Sequence, residues 1–281
     1  MKVNIIIDST ADLRPGLQDR FTVVPLTVHF GDREYVDGVT ITHKEFYEKL
    51  VESDVLPTTS QATPAAFGDV FEEVARRGET AVVITVASKL SGTYQSAMIA
   101  AEDYPDRIFV VDGTSVAIGS GILAEQALGY RDQGLSAAEI ADRLEEDKER
   151  LHVVALLDTL EYLKKGGRIS SAVAFAGGIL SIKPVAAVKD GEIKLLGKAR
   201  GSKQGNNLLV QEIQKAGGVD FTRPVLLGYT GLSDVLLKKY MEDSRAIWEN
   251  GVETLDYVTI GSVVGTHAGP GAVAVAFFRK G

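Results

Sequence analysis

Three short stretches of this chain, residues 3–7, 81–86 and 108–111, carry apolar side chains almost continuously rather than at alternate positions. A strand with one wet face alternates. A strand covered on both faces does not, and that is the condition of a parallel sheet, whose crossover connections lay helices over each face. Helix signals fall between these stretches. Thr42 with Glu45 and Ser136 with Glu139 have capping-box spacing. Thr63 before Pro64 reads as an N-cap followed by proline at the first helical position, and Gly78 after Ala75-Arg76-Arg77 reads as a stop. The β-α-β order up to residue 150 predicts a three-layer α/β/α domain with a parallel sheet, in which ligands sit at the carboxyl ends of the strands.

After a charged helix expected over 136–150 the texture changes. Strand-like pieces at 153–157, 193–196, 225–229 and 272–278 alternate with helices expected over 160–165 and 233–250, which predicts a second α/β domain with a mixed sheet. With 281 residues, 45% of them hydrophobic, the chain is long enough for two cores. The expected division is 1–150 and 151–281, with a ligand between the two.

Composition removes several functions. The absence of cysteine excludes disulfides and thiolate metal sites, and no two histidines have metal-ligand spacing, so no metal is expected. No cofactor is expected either, because the apparent dinucleotide pattern Gly119-Ser120-Gly121 lies several residues beyond its strand end. The apparent nucleophile elbow Gly113-Thr114-Ser115-Val116-Ala117 lacks its second glycine. A net charge of −8 argues against nucleic acid and against an anionic membrane face. The N-terminus meets Asp8 after three apolar residues, too few for a signal-peptide core, which reads as cytoplasmic. Residues 257–278 carry no formal charge and are long enough to span a bilayer. Their centre is Gly-Thr-His-Ala-Gly-Pro-Gly, however, and two strands flanking a glycine loop are expected instead.

Three segments concentrate polar chemistry. In the first, residues 85–97, a strand gives way to Ser91-Gly92-Thr93 and then a helix. That turn is either a plain N-cap or a site for a carboxylate or phosphate, since the first N–H groups of a helix lack intrahelical partners. The second is Thr58-Thr59-Ser60-Gln61, just ahead of the Thr63 cap. The third, Gly265 to Ala272, sets His267 among glycines, either as a turn histidine or where backbone approaches a ligand. Asp8-Ser9-Thr10-Ala11-Asp12 follows the first strand and reads equally as turn chemistry or as a functional loop.

In order along the chain, Asp8-Ser9-Thr10-Ala11-Asp12, Thr59-Ser60-Gln61, Leu90-Ser91-Gly92-Thr93-Tyr94, Gly166-Gly167-Arg168-Ile169, Ile182-Lys183-Pro184 and Thr266-His267-Ala268-Gly269-Pro270-Gly271-Ala272 resemble the DegV family of bacterial fatty-acid-binding proteins. One departure is Ala62, where the family usually has proline. The resemblance implies a long-chain fatty acid whose carboxylate meets Thr59, Ser91 and His267, with Ser60, Gly92 and Thr93 supporting that anion site. It places Arg168 and Arg200 near the mouth, in contact with a partner kinase or a phosphoryl group. The partner it implies is a separate ATP-dependent fatty-acid kinase, which forms an acyl phosphate for phospholipid synthesis while the chain itself does no chemistry. It leaves room for transient membrane contact. The uncharged stretch 172–180 is then a wall or lid of the acyl tunnel, or an ordinary buried helix.

Two rival readings use the same residues. A serine hydrolase would take Ser91 as nucleophile and His267 as base, with Asp8 or Asp256 left to orient the imidazole. A structural or regulatory α/β protein would keep the pocket empty.

Overall fold

The computed structural model of the protein describes residues 2–169, 182–249, 251–252 and 254–281. Strands β1 (Val3–Asp8), β2 (Thr22–Val24), β3 (Thr27–Phe30) and β4 (Arg33–Val36) lead into helix α1 (His43–Glu52), β5 (Thr58–Ser60) and α2 (Pro64–Arg76). Then follow β6 (Thr80–Thr85), α3 (Thr93–Ala101), β7 (Ile108–Asp112), α4 (Ile118–Asp132) and α5 (Ala137–Asp147). Beyond them lie β8 (Leu151–Leu156), α6 (Glu161–Lys165), β9 (Ile182–Lys189), β10 (Glu192–Arg200) and α7 (Gly201–Lys215). The chain ends with β11 (Leu226–Tyr229), α8 (Val235–Asp243), α9 (Arg245–Trp248), β12 (Tyr257–Thr259), α10 (Ser262–Ala268) and β13 (Val273–Phe278).

The first sheet is wholly parallel, in the order β2-β1-β6-β7. Its continuous apolar strands divide between two cores. Ile5, Ile7, Val82 and Ile84 face α4 and α5, while Ile6, Ala81 and Val83 face the aromatic layer of Phe46, Phe67 and Phe71. Both expected capping boxes form, at Thr42 and Ser136, and Thr63 caps α2 with Pro64 at its start. The second sheet runs β10-β9-β8-β13-β11-β12, antiparallel except for the β11–β12 pair, so it is mixed. The fold is thus α/β with one parallel and one mixed sheet. A small antiparallel sheet, β4-β3-β5, is an addition that the sequence did not announce, because strands of three or four residues carry almost no period.

Helix α4 is the layer between the two large sheets. Ile118, Ile122 and Leu123 are buried in one cluster that also takes in Ile5 and Ile84 of the parallel sheet and Val153, Ala274 and Ala276 of the mixed sheet. The Gly119-Ser120-Gly121 pattern serves this packing. A Cβ on Gly119 would lie 2.4 Å from Val153, and one on Gly121 would lie 1.9 Å from the Asp12 carbonyl oxygen.

Two expected elements differ from what forms. The helix expected over 233–250 breaks into α8 and α9 at Ser244, whose hydroxyl donates to the Tyr240 carbonyl at 2.6 Å and accepts from Trp248 Nε1 at 2.8 Å. A serine that bonds back to its own helix competes with the backbone ladder and bends it. The glycine loop expected around His267 is in fact half helix: α10 carries His267 in its last turn and ends at Gly269, with φ +70°. Gly265 permits the close seat of this helix, because a Cβ there would lie 2.5 Å from the Tyr47 hydroxyl.

Ala117, just before α4, has φ 57° and ψ −132°, a region that a side chain makes costly. Ala117→Gly is therefore expected to stabilise the protein by about 1 kcal/mol, since relief of roughly 1–3 kcal/mol of strain outweighs the 0.5–1 kcal/mol entropy cost of glycine. Denaturant unfolding checks it; a loss of stability comparable to an ordinary Ala→Gly change in a strand would refute the strain.

Candidate functional site

The site is built where β1 and β6 end side by side. Asp8 closes β1: one carboxylate oxygen accepts from Thr10 N (2.9 Å) and Thr10 Oγ1 (2.6 Å), and the other accepts from Val86 N (2.6 Å). Burial raises the Asp8 pKa while these hydrogen bonds oppose the rise. Asp12 accepts from Gly261 N at 2.8 Å, just ahead of α10. The Asp8-to-Asp12 segment thus ties three elements together.

From the end of β6 the chain turns through Ser91 into α3. Ser91 Oγ shares a 2.9 Å hydrogen bond with Thr93 Oγ1 and accepts from Thr93 N at 3.3 Å. The side chain of Gln61, arriving from β5, donates to the Gly92 carbonyl (3.3 Å) and to Ser96 Oγ (2.9 Å). A Cβ at 92 would lie 2.1 Å from Gln61 Oε1, so a larger residue there would push the Gln61 amide out of these bonds. Gln61 belongs to a quoted motif, yet sequence reasoning gave it no role; its role is to hold β5 against the Ser91 turn.

His267 completes this corner. Its Nε2 shares a 2.9 Å hydrogen bond with Thr59 Oγ1, while Nδ1 is buried and has no partner. A Cβ on Gly166 would lie 2.2 Å from Nδ1, so the turn after α6 covers the imidazole. Burial, with help from the nearby Arg168 guanidinium, pushes the His267 pKa down from 6.5 to about 4. The ring is neutral at physiological pH. Arg168 spans the two loops, its Nε donating to the Leu90 carbonyl at 3.1 Å and its Nη1 to the Gly166 carbonyl at 2.7 Å.

Thr59, Ser60, Ser91, Gly92, Arg168 and His267 all line one cavity of about 410 Å³, within the range of small-molecule sites. Thr93 is wholly buried beside Ser91 and does not line it. Arg200 is exposed at the end of β10, where its backbone N–H donates to Gln204 Oε1, and is absent from the lining. Stretch 172–180 lies outside the described residues.

The floor of the cavity comes from the mixed sheet. Ala274, Ala155 and Ala186 are lateral partners on β13, β8 and β9, so their methyls form one row across three strands. Alternation sends Val154, Leu156, Val185 and Val275 to the opposite face, packed with Leu209 of α7 and Leu237 of α8. Small side chains on one face of a sheet that is full-sized on the other leave the space. That row of alanines was the residue set sequence reasoning missed; period-two alanine at 272, 274 and 276 was the available signal.

The arrangement suits binding better than acyl transfer. His267 Nε2 faces Thr59, Asp8 is engaged by Thr10 and Val86, and Asp256 pairs with Arg14, so neither acid orients the imidazole. Among the described residues no cluster of three or more His, Cys, Asp or Glu could hold a metal ion, and no helix is long and apolar enough to cross a membrane.

Comparison with known proteins agrees with the sequence resemblance. The family model described as "Uncharacterised protein, DegV family" matches residues 2–280. A DegV domain-containing protein of Caldanaerobacter subterraneus subsp. tengcongensis is 35% identical over 285 residues, covering 99% of both chains. Among solved structures, a Thermus thermophilus DegV family protein described by its fatty-acid binding superimposes with TM-score 0.88 at 29% identity, covering 100% of both chains. A stearic-acid-binding protein from Eubacterium ventriosum does so with TM-score 0.88 at 30% identity, over 99% of this chain and 98% of that one.

Proposed function

This chain belongs to the DegV family, and from that premise we propose that it binds a long-chain fatty acid, with the tail over the alanine floor and the carboxylate among Thr59, Ser91 and His267. The observation that carries the reading is the polarity of one cavity: an alanine and valine floor at one side, two hydroxyls and a neutral imidazole at the other. The Thermus and Eubacterium relatives, with fatty acid and stearic acid respectively, support it. Affinity comes from the tail. At about 0.8 kcal/mol for each buried methylene, a sixteen-carbon chain supplies on the order of 10 kcal/mol before ordering costs. The head-group cluster fixes orientation, because a buried carboxylate without donors would take up a proton instead. Gly92 and Thr93 support the turn that presents Ser91, and Ser60, its hydroxyl bonded to His29 Nε2 at 2.7 Å, lines the same cavity beside Thr59.

The finer part of the proposal is that the chain is a carrier, not an enzyme. It lodges the ligand between the units 1–150 and 151–281 and presents the carboxyl group to a separate ATP-dependent kinase. Arg168, on the cavity wall, and Arg200, at the surface, are the proposed contacts for that partner or for the phosphoryl group, as the planar guanidinium fork suits phosphate.

Mass spectrometry of ligand extracted from the purified protein tests the reading. One intact fatty acid per chain is expected, with a lower melting temperature after its removal; an unchanged melting temperature on adding palmitate or oleate to stripped protein would sink it. Ser91→Ala should weaken binding about ten- to a hundredfold, the consequence of losing about 1.5–3 kcal/mol from one hydrogen bond to a charged group. Combined with His267→Ala, its cost should fall short of the sum of the singles, because both groups address one carboxylate. Calorimetric titration reads both, and strictly additive or negligible losses would place the carboxylate elsewhere.

A further inference from the structure

A second cleft, of about 610 Å³, lies across the Asp8-to-Asp12 segment from the acyl cavity: Thr10 faces the cavity, while Ser9, Ala11 and Asp12 line the cleft. Two carboxyl groups reach its wall, Asp12 at 5% exposure and Asp37 at 3%. Asp12 Oδ1 is satisfied by Gly261 N, but Asp12 Oδ2 has no hydrogen-bond partner, and Asp37 has only Ser9 and Ser262 beside it, neither in the geometry of a well-formed hydrogen bond. The neighbouring Tyr47 hydroxyl is committed to the Ile260 carbonyl at 2.9 Å. Among the described residues no Lys or Arg lines the cleft. Buried carboxyl oxygens left without donors are costly, and in native proteins such groups generally have a partner.

Two tyrosines in the same lining say what kind of partner fits. The rings of Tyr229 and Tyr257 stand 6.4 Å apart at 58°. Both are held in place, Tyr229 Oη accepting from Thr259 Oγ1 at 2.7 Å and Tyr257 Oη donating to Asp234 at 3.1 Å. Aromatic rings and carboxyl groups lining one cleft suit a cation that carries both N–H donors and apolar substituents. No metal-binding cluster exists here among the described residues, which turns the choice toward an organic ion.

We propose that this cleft binds a primary organic ammonium, its N–H groups on Asp12 and Asp37 and its carbon chain against Tyr229 and Tyr257. Burial raises both acids, Asp12 well above the usual carboxylate range against the Gly261 N–H, while Ser9, then His43, then Ser262 oppose the rise at Asp37. The other titratable groups facing the pair are Asp8, Tyr47 and Tyr229. An entering ammonium therefore displaces protons, and its affinity rises with pH.

Amide NMR titration of the fatty-acid-loaded protein tests this with n-butylammonium, its neutral counterpart 1-butanol, and Nα-acetyl-lysine methylamide. Saturable shifts at Asp12, Asp37 and Gly261 are expected with the ammonium and not with butanol. Tighter binding of the lysine derivative would identify a protein side chain as the source of the cation, and equal or weaker binding a free amine. Asp37→Asn should weaken n-butylammonium about tenfold or more while fatty-acid content is unchanged. Should that variant fail to fold, Tyr257→Leu keeps the apolar area without the ring's negative face and should weaken it several-fold. No saturable shift with n-butylammonium, equal shifts with 1-butanol, or undiminished binding by the variants overturns the site.

Discussion

Ala155→Phe is expected to lower the affinity for a long-chain fatty acid by a few hundredfold without destabilising the protein. Ala155 is the centre of the methyl row that runs from Ala274 to Ala186, and its side chain points into the cavity. A benzyl group there takes the room of roughly four to five methylenes of the tail, and at about 0.8 kcal/mol each the loss is about 3–4 kcal/mol. Enlarging a packed core position usually costs about 1–3 kcal/mol. Here the space already exists, so the melting temperature of the stripped protein should hold or rise. Val275→Phe is the control, because Val275 is wholly buried on the other face of the same sheet, against α7 and α8. It should lose stability and keep affinity. Palmitate titration with thermal unfolding of both variants separates the cases, and an unaltered affinity in Ala155→Phe would remove the tail from the alanine floor.

The contrast between these two substitutions also marks what a sequence can and cannot convey. Apolar continuity at 3–7, 81–86 and 108–111 announced a sheet covered on both faces, because burial on two sides is a local property of each strand. Capping at Thr42, Thr63 and Ser136 was legible for the same reason, each cap being a bond between residues three apart. The cavity is not local. Its floor is one face of three strands whose lateral pairing, Ala274 to Ala155 to Ala186, joins residues distant in sequence, and an alanine in a strand says nothing alone about whether the space above it is filled. Thr59 and His267 could be named from motifs, but their 2.9 Å contact depends on α10 being a helix, which the glycines at 261, 265 and 269 had disguised as a loop. Gly265 and Gly269 answer to packing against Tyr47 and Tyr162, and Gly261 to His43 and Asp12, partners that a reading along the chain cannot see. Gln61 was overlooked for a related reason, since its bonds to Gly92 and Ser96 cross between segments.

The same imidazole gives the second large effect, in the pH dependence of folding. His267 has a folded-state pKa of about 4 against an ordinary 6.5, because burial disfavours its charged form. Above pH 6.5 the ring is neutral in both folded and unfolded chains, so it contributes no pH dependence. Between 6.5 and about 4 the unfolded chain takes up a proton that the folded chain refuses, and stability falls as pH falls. Below about 4 the full difference is lost, on the order of 3 kcal/mol. Asp8, Asp12 and Asp37 act in the opposite direction, since burial raises them and the folded form binds the extra proton more readily. The quantity to measure is therefore the difference between the native protein and His267→Gln, by denaturant unfolding of stripped protein from pH 7.5 down to 4. Relative to its value at pH 7.5, that difference should shift by about 3 kcal/mol against the native protein by pH 4. Loading with fatty acid should shrink it, because a carboxylate beside the ring favours the imidazolium and lifts the folded-state pKa back toward 6.5. A flat difference in stripped protein would mean that the imidazole is not held buried and neutral. An equal difference with and without fatty acid would mean that the carboxylate does not sit beside His267, whatever else the cavity holds.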